Sequence, residues 1–275
     1  MATVNSVDIC VETFGEPASP AILLIAGAGG SMDTWDPDFC TALAATGRLV
    51  IRYDHRDTGR STHYPPGAPD YSFYDLLADA TALIDRFAHG RAHVVGMSMG
   101  GTIAQYLAVD HPDKVAALAL VSTSPIFPAG LPPLTQRLLD AYGHMPTPNW
   151  ADKEATLDHL VQGARIHAGR TTFDEHSARA TARRIIDRSL DLRTAGNHNA
   201  MRQEARPERD FRALLAEVAA PALVIHGTDD PMLPQEHAIA LAAAIPHAEL
   251  MLLEGVGHQA PPRSSWDQVI TALTR

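Results

Sequence analysis

The chain has few cysteines, no excess of positive charge and no long apolar run. Only two of its 275 residues are cysteines, Cys10 and Cys40, and they lack the spacing of a metal site or a redox pair. Because disulfides are rare in the cytoplasm, two cysteines that need not pair favour a cytoplasmic protein. Residues 1–5 show neither a basic region nor an apolar core, so we expect no secretory signal.

Charge and composition exclude further classes of protein. A formal net charge of −10 disfavours binding to nucleic acid or to an anionic membrane surface. No apolar run is long enough to span a bilayer, and no H-E-x-x-H motif is present. We therefore expect no metal, no cofactor, no membrane partner and no nucleic acid. The length favours one large globular domain with an insertion.

Strand-like apolar runs alternate with helical patterns along most of the chain. We expect an antiparallel hairpin over residues 3–14 and an amphipathic helix over residues 75–87, where apolar residues recur three and four apart. The other predicted strands cover residues 21–26, 48–53, 92–97, 115–122, 221–226 and 248–253. This alternation predicts an α/β fold with a mostly parallel central sheet and helices on both faces.

The strand rhythm stops after residue 121 and resumes at residue 221. The interval opens with a proline-rich stretch and continues with a helical, charged pattern. We predict a core domain of residues 1–124 and 216–275, with residues 125–215 inserted as a helical cap, called the cap segment below. Most of its large apolar side chains should pack the cap, and a subset should contact substrate. The candidates are Phe127, Tyr142, Met145, Trp150 and Met201.

A G-x-S-x-G pattern lies at residues 96–100, between a strand-like run and a helical pattern. Such spacing is typical of a nucleophile elbow, a sharp turn with a serine at its apex. Side chains two positions to either side would clash, and Gly96 and Gly100 remove them. Ser98 is therefore the predicted nucleophile. The alternative is a serine that only caps the following helix.

A serine nucleophile needs an acid and a histidine, and both follow in the expected chain order. The predicted strand 221–226 runs into the sequence G-T-D-D, and the G-x-x-D pattern selects its fourth residue, Asp230, as the acid. Asp229 is predicted to be a turn residue whose carboxylate bonds nearby backbone. His226, at the end of the strand, is expected to be a packed or hydrogen-bonded neighbour of the site.

The histidine is selected by its position among 14 histidines. His258 follows the predicted strand 248–253 through a short loop with glycines at positions 255 and 257. These glycines let the loop fold tightly over the strand ends, where parallel sheets bind ligands. His258 can then reach both the serine and the acid.

Two backbone N–H groups are the predicted oxyanion-hole donors. One belongs to Met99, directly after the nucleophile, and the other to Ala28, in a glycine-rich loop that follows the strand 21–26. A glycine-rich loop in this place can also indicate phosphate binding. However, the Walker lysine is missing and the following strand has no clear acidic ribose ligand.

Together with the block R-Y-D-H-R-D-T-G-R-S-T at residues 52–62, the segment 93–100 resembles α/β-hydrolases, and the likeness extends from end to end of the chain. Within that superfamily the chain is most similar to the aclacinomycin methylesterase group. The resemblance implies an α/β-hydrolase fold in which residues 52–62 form a buried charged turn below the site. It also implies the triad and the oxyanion hole: Ser98, Asp230 and His258, with Ala28 and Met99.

One position departs from the pattern. Many relatives have His-Gly in the oxyanion loop, whereas here Ala26 precedes Gly27. Because the hole uses backbone donors, this difference should not abolish it.

The predicted activity is that of a serine carboxylic-ester hydrolase acting through an acyl-enzyme on a small-molecule ester. The resemblance suggests a methyl ester on a bulky aromatic polyketide. Lactone opening, carbon–carbon bond hydrolysis and perhydrolysis use the same site and stay open, as does a non-catalytic binding protein of this fold. Epoxide hydrolases and dehalogenases resemble this fold with an aspartate at the elbow, which Ser98 disfavours. The sequence does not indicate the oligomeric state.

Overall fold

The computed structural model describes residues 1–126, 130–204 and 209–275, and the strands in these ranges form two sheets. They are β1 (Ala2–Val4), β2 (Val7–Ile9), β3 (Val11–Phe14), β4 (Ala21–Ile25), β5 (Leu49–Tyr53), β6 (Ala92–Met97), β7 (Val115–Val121), β8 (Ala222–Gly227) and β9 (Glu249–Leu253). Strands β1 and β2 pair with each other. The remaining seven form a sheet of order β3-β5-β4-β6-β7-β8-β9, in which only β3 is antiparallel to its neighbour.

Helices cover both faces of this sheet, and further helices lie between β7 and β8 in the chain. They are α1 (Pro37–Ala44), α2 (Phe73–Phe87), α3 (Met99–Asp110), α4 (Gln136–Gly143), α5 (Lys153–His167), α6 (Glu175–Arg188), α7 (Phe211–Leu215), α8 (Glu236–Ala244) and α9 (Trp266–Leu273). Successive side chains of a strand point to opposite faces. On β4, Leu23 and Ile25 therefore belong to the apolar cluster that includes side chains of α2, α3 and α8, while Ile22 and Leu24 belong to the cluster that includes side chains of α1 and α9. The predicted α/β fold is confirmed.

Two element boundaries differ from the sequence-based expectation. The hairpin covers only β1 and β2, because Asn5 and Ser6 adopt positive φ angles and turn the chain tightly between them. Strand β3 joins the main sheet instead. Helix α2 begins two residues earlier than predicted, where the N–H of Ser72 donates to the carboxylate of Asp75 at 2.8 Å.

The described part of the cap segment is helical, and no strand lies between β7 and β8 in it. Helices α4 to α7 belong to it, together with a 3₁₀ helix at Leu192–Asn199. Arg188 of α6 ties it to the core through ion pairs with the buried Asp33 and Asp54. The exact domain boundaries stay a prediction. Across the described ranges, no helix is long and apolar enough to cross a membrane.

Candidate active site

Ser98 occupies the sharp turn between β6 and α3, in a conformation that few non-glycine residues adopt. Its φ is +53° and its ψ is −117°. A Cβ on Gly96 would lie 2.1 Å from the carbonyl oxygen of Gly100, and a Cβ on Gly100 would lie 2.4 Å from the carbonyl oxygen of Ile25. These contacts are with backbone that cannot give way. The two glycines are therefore the steric condition for this turn.

A chain of hydrogen bonds joins the serine, the histidine and the aspartate. The Ser98 hydroxyl lies 3.1 Å from Nε2 of His258, and Nδ1 of His258 lies 2.8 Å from Oδ2 of Asp230. Because the carboxylate accepts from Nδ1–H, Nε2 carries the lone pair that faces the hydroxyl. The imidazole can thus accept a proton from the serine while the aspartate stabilises the resulting positive charge.

Asp230 is held as an anion inside the protein. Its second oxygen, Oδ1, accepts the backbone N–H groups of Met232 at 2.9 Å and Leu233 at 2.8 Å. Burial by itself raises the pKa of Asp230. However, the hydrogen bond and electrostatic attraction of the His258 ring, together with the Leu233 N–H, outweigh it, and the pKa of Asp230 lies below its usual range. The carboxylate is therefore ready to orient the imidazole at neutral pH.

The neighbours of Asp230 match one prediction and correct another. His226 is the expected hydrogen-bonded neighbour: its Nε2–H donates to the carbonyl of Leu233 at 2.7 Å, and Nε2 lies 3.5 Å from Oδ2 of Asp230. Asp229 does lie in a turn. Its carboxylate does accept a backbone N–H, but what the structure corrects is where that backbone lies: the N–H belongs to Arg170 of the cap segment, 59 residues away in the chain, whose guanidinium also binds both carboxylate oxygens.

The loop that carries His258 packs against the cap segment, backbone to backbone. The N–H of His258 donates to the carbonyl of His167 at 2.8 Å. A Cβ on Gly257 would lie 2.2 Å from that same carbonyl oxygen, and one on Gly169 would lie 1.7 Å from the carbonyl oxygen of Gly255. Sequence reasoning did not find His167 or Arg170, because nothing local in the chain indicates that this segment meets the histidine loop.

The predicted oxyanion donors belong to two segments next to the serine. Met99 is the first residue of α3, and Ala28 lies in the turn at residues 27–30, where a Cβ added to Gly27 would lie 3.3 Å from Cβ of Ser98. Within the described residues, neither the N–H of Ala28 nor that of Met99 donates to a protein acceptor. A helix N-terminus and a free turn N–H are the donors that a developing oxyanion requires.

A cleft of about 1080 Å³ opens in front of the serine, with Ala28, Ser98 and His258 in its wall. Tyr142 lines this cleft, and its hydroxyl lies 2.5 Å from Nε2 of His167. Met145 and Trp150 are not among the residues that line it. Trp150 instead packs on His159, with ring centroids 5.5 Å apart.

Met201 lines a second cavity, of about 410 Å³, instead of the cleft in front of the serine. Met99 and Tyr106 also line this second cavity. Phe127, the remaining candidate, lies outside the described residues. In the ranges that the structure describes, no group of three or more histidine, cysteine or acidic side chains is arranged to hold a metal ion.

Comparison with known proteins assigns the chain to a family. The family model described as alpha/beta hydrolase fold matches residues 20–261, and the chain belongs to that family. Two similar relatives are rhodomycin D methylesterase DauP of Streptomyces sp. (strain C5) and rhodomycin D methylesterase DnrP of Streptomyces peucetius. Each is 35% identical over 278 residues, which covers 95% of this chain and 92% of the relative. The resemblance to methylesterases inferred from the sequence is confirmed.

Solved structures agree on the fold. The enol-lactonase from Burkholderia xenovorans LB400 matches with a TM-score of 0.69 at 24% identity, covering 99% of this chain and 96% of that chain. At this low sequence identity, the match supports the fold alone. The family and the named relatives together support a hydrolase.

Proposed function

We propose that the protein is a serine carboxylic-ester hydrolase in which Ser98 is the nucleophile, His258 the general base and Asp230 the orienting acid. The observation that carries this proposal is the hydrogen-bonded chain of these three side chains, with steps of 3.1 and 2.8 Å, at a strained elbow. The strained backbone of Ser98 holds its hydroxyl out of the turn and toward the histidine.

The acylation step follows from this geometry. His258 takes the hydroxyl proton at Nε2 while the serine oxygen attacks the ester carbonyl carbon. The negative charge that develops on the carbonyl oxygen is met by the free N–H groups of Ala28 and Met99. The tetrahedral intermediate then collapses, the carbon–oxygen bond to the alcohol breaks, and the alcohol leaves with the proton from His258.

Deacylation repeats the sequence with water. His258 takes a proton from water, the hydroxide attacks the acyl carbon, and the serine leaves with the proton returned to its oxygen. The products are the free acid and the alcohol, and no cofactor enters the atom balance.

We further propose a methyl ester on a bulky aromatic polyketide as the substrate. The support is the 35% identity to two rhodomycin D methylesterases over nearly the whole chain. The cleft of about 1080 Å³ is slightly larger than the usual range for small-molecule sites, roughly 300–1,000 Å³, and so has room for a bulky acyl group. Because methanol is a small leaving group, recognition must come from the acyl side, where the cap segment lines the cleft.

Covalent labelling tests the nucleophile. A fluorophosphonate should label Ser98, and Ser98→Ala should lose labelling together with about 10⁴-fold or more of ester hydrolysis. Ser122→Ala is a matched control, because Ser122 also has a positive φ and directly follows the adjacent strand. It should keep both properties. Labelling of wild-type protein at another residue would contradict the proposal.

Product analysis tests the substrate. Incubation with rhodomycin D should release methanol and the free acid, at a higher kcat/KM than for simple alkyl esters and lactones. If lactones or simple esters are turned over far faster and rhodomycin D is inert, the polyketide assignment is wrong, while the proposal of a hydrolase is unaffected.

The cytoplasmic location inferred from the cysteine content stays a prediction.

A further inference from the structure

The turn at residues 27–30, called the oxyanion turn below because it carries Ala28, has no hydrogen bond at Gly29 within its own loop and is instead hydrogen-bonded to a histidine of the cap segment. The N–H of Gly29 donates to Nδ1 of His198 at 2.7 Å, across 169 residues of chain. His198 lies in the 3₁₀ helix Leu192–Asn199 and is only 5% exposed. No feature of the sequence around residue 198 indicates this contact.

The contact acts on the central peptide of the turn, whose N–H takes no part in the hydrogen bond that closes the turn. The N–H of Gly30 donates to the carbonyl of Gly27 at 3.1 Å, which closes a β-turn over residues 27–30. Such a bond fixes the ends of a turn, but the central peptide can rotate between the type I and type II forms. Gly29 has a φ of +69°, as the type II form requires, and its N–H belongs to that central peptide.

His198 is itself fixed on the core. Its Nε2–H donates to the carbonyl of Arg56 at 2.9 Å, and the guanidinium of Arg56 is paired with the buried Asp79 at 2.7 and 2.9 Å. The ring of His55 packs edge-on against His198. With Nε2 protonated, Nδ1 is left as an acceptor.

The ring stays neutral because of its surroundings. Burial lowers the pKa of His198, although the hydrogen bond to the Arg56 carbonyl and the charge of Asp57 act in the other direction. A neutral ring with its lone pair on Nδ1 is the tautomer that can hold the Gly29 N–H.

We propose that His198 is a positioning residue of the oxyanion hole: by holding the N–H of Gly29 it fixes the Ala28–Gly29 peptide and thereby the place of Ala28, whose own N–H, in the preceding peptide, donates to the carbonyl oxygen above Ser98. The inference rests on the proposed function, since the hole matters only if Ser98 is acylated. It assigns to the cap segment a part in the chemical step in addition to its part in substrate binding.

Two near-isosteric variants separate positioning from packing. In His198→Asn, the side-chain oxygen takes the place of Nδ1 and can still accept from Gly29. In His198→Gln, the amide nitrogen takes the place of Nε2 and can donate to Arg56, but nothing accepts from Gly29. His93→Asn, at the opposite end of β6 from the serine, is the control for the loss of a largely buried histidine side chain.

We expect His198→Gln to lower kcat and the rate of fluorophosphonate labelling together, on the order of 10- to 100-fold, with KM within about twofold. His198→Asn and His93→Asn should stay within about threefold of wild type. Equal kcat values for the Asn and Gln variants, with melting curves that show both folded, would overturn the positioning role.

Hydrogen exchange of the Gly29 amide gives a readout that does not depend on activity. The amide should exchange faster in His198→Gln than in wild type or His198→Asn. If wild-type protein neither labels nor hydrolyses esters, the proposed function fails even where this exchange pattern holds. If wild type is active but the Gly29 amide exchanges alike in all three proteins, only the inference about His198 fails.

Discussion

At the scale of single residues, the two glycines of the elbow carry a steric condition that can be measured. Gly96→Ala would place a methyl group 2.1 Å from the Gly100 carbonyl oxygen, so backbone must shift. We expect a loss of about 1–3 kcal/mol in the free energy of unfolding, measured by urea denaturation. Gly143→Ala is the control, since its Cβ would meet nothing within 4 Å. An equal loss in both variants would contradict this account.

The two adjacent aspartates differ in their partners, and substitution should separate them. Asp230→Asn removes the acceptor that orients His258, and we expect kcat to fall on the order of 10³- to 10⁴-fold. Asp229→Asn weakens only a pair with Arg170, whose side chain is 75% exposed, and should change kcat by less than about tenfold. A larger effect at Asp229 in folded protein would reverse the assignment of the acid.

At the scale of elements, the cap helices divide into cleft wall and cap interior. Tyr142, at the end of α4, lines the cleft, whereas Trp150 packs on His159. Tyr142→Ala should raise KM for a bulky aromatic ester and leave a small activated ester nearly unchanged, because only the large acyl group reaches the ring. Trp150→Ala should lower thermal stability without changing that KM. Unchanged bulky-ester kinetics in Tyr142→Ala would remove α4 from the specificity surface.

At the scale of the whole molecule, buried neutral histidines make stability depend on pH. Burial lowers the pKa of His55 to about 3, with the nearby His198 acting in the same direction. Burial, followed by the charge of Arg48, lowers the pKa of His93 to about 4. Between these values and about 6.5, the unfolded chain binds protons that the folded chain does not. With respect to these two histidines, the free energy of unfolding is therefore highest above about pH 6.5 and decreases as the pH falls toward 4.

The His93→Asn variant isolates one of these contributions. An amide does not titrate, so the variant should lose less stability than wild type between pH 6.5 and 4, by about 1.4 kcal/mol per pH unit. Urea midpoints at several pH values measure this slope. Parallel slopes for variant and wild type would mean that His93 is not held neutral.

The strand–helix alternation and the elbow could be predicted from the sequence alone because their causes are local. Apolar periodicity defines β4, β6 and α2 without reference to the rest of the chain, and the steric demand at Ser98 is met by glycines only two residues away. The chain order of acid and histidine then indicated Asp230 and His258, since both follow neighbouring parallel strands whose carboxyl ends meet at one edge of the sheet.

What the tertiary structure alone decided is how the cap segment meets these local features. Asp229 binds Arg170, the N–H of His258 donates to the carbonyl of His167, and His198 holds Gly29, each through contacts between segments far apart in the chain. Such contacts produce no periodicity or residue spacing in the sequence, because they depend on how the cap segment packs on the ends of the strands. The elbow can therefore be predicted from the sequence, while the contacts between the cap segment and the active-site loops can be seen only in the folded chain.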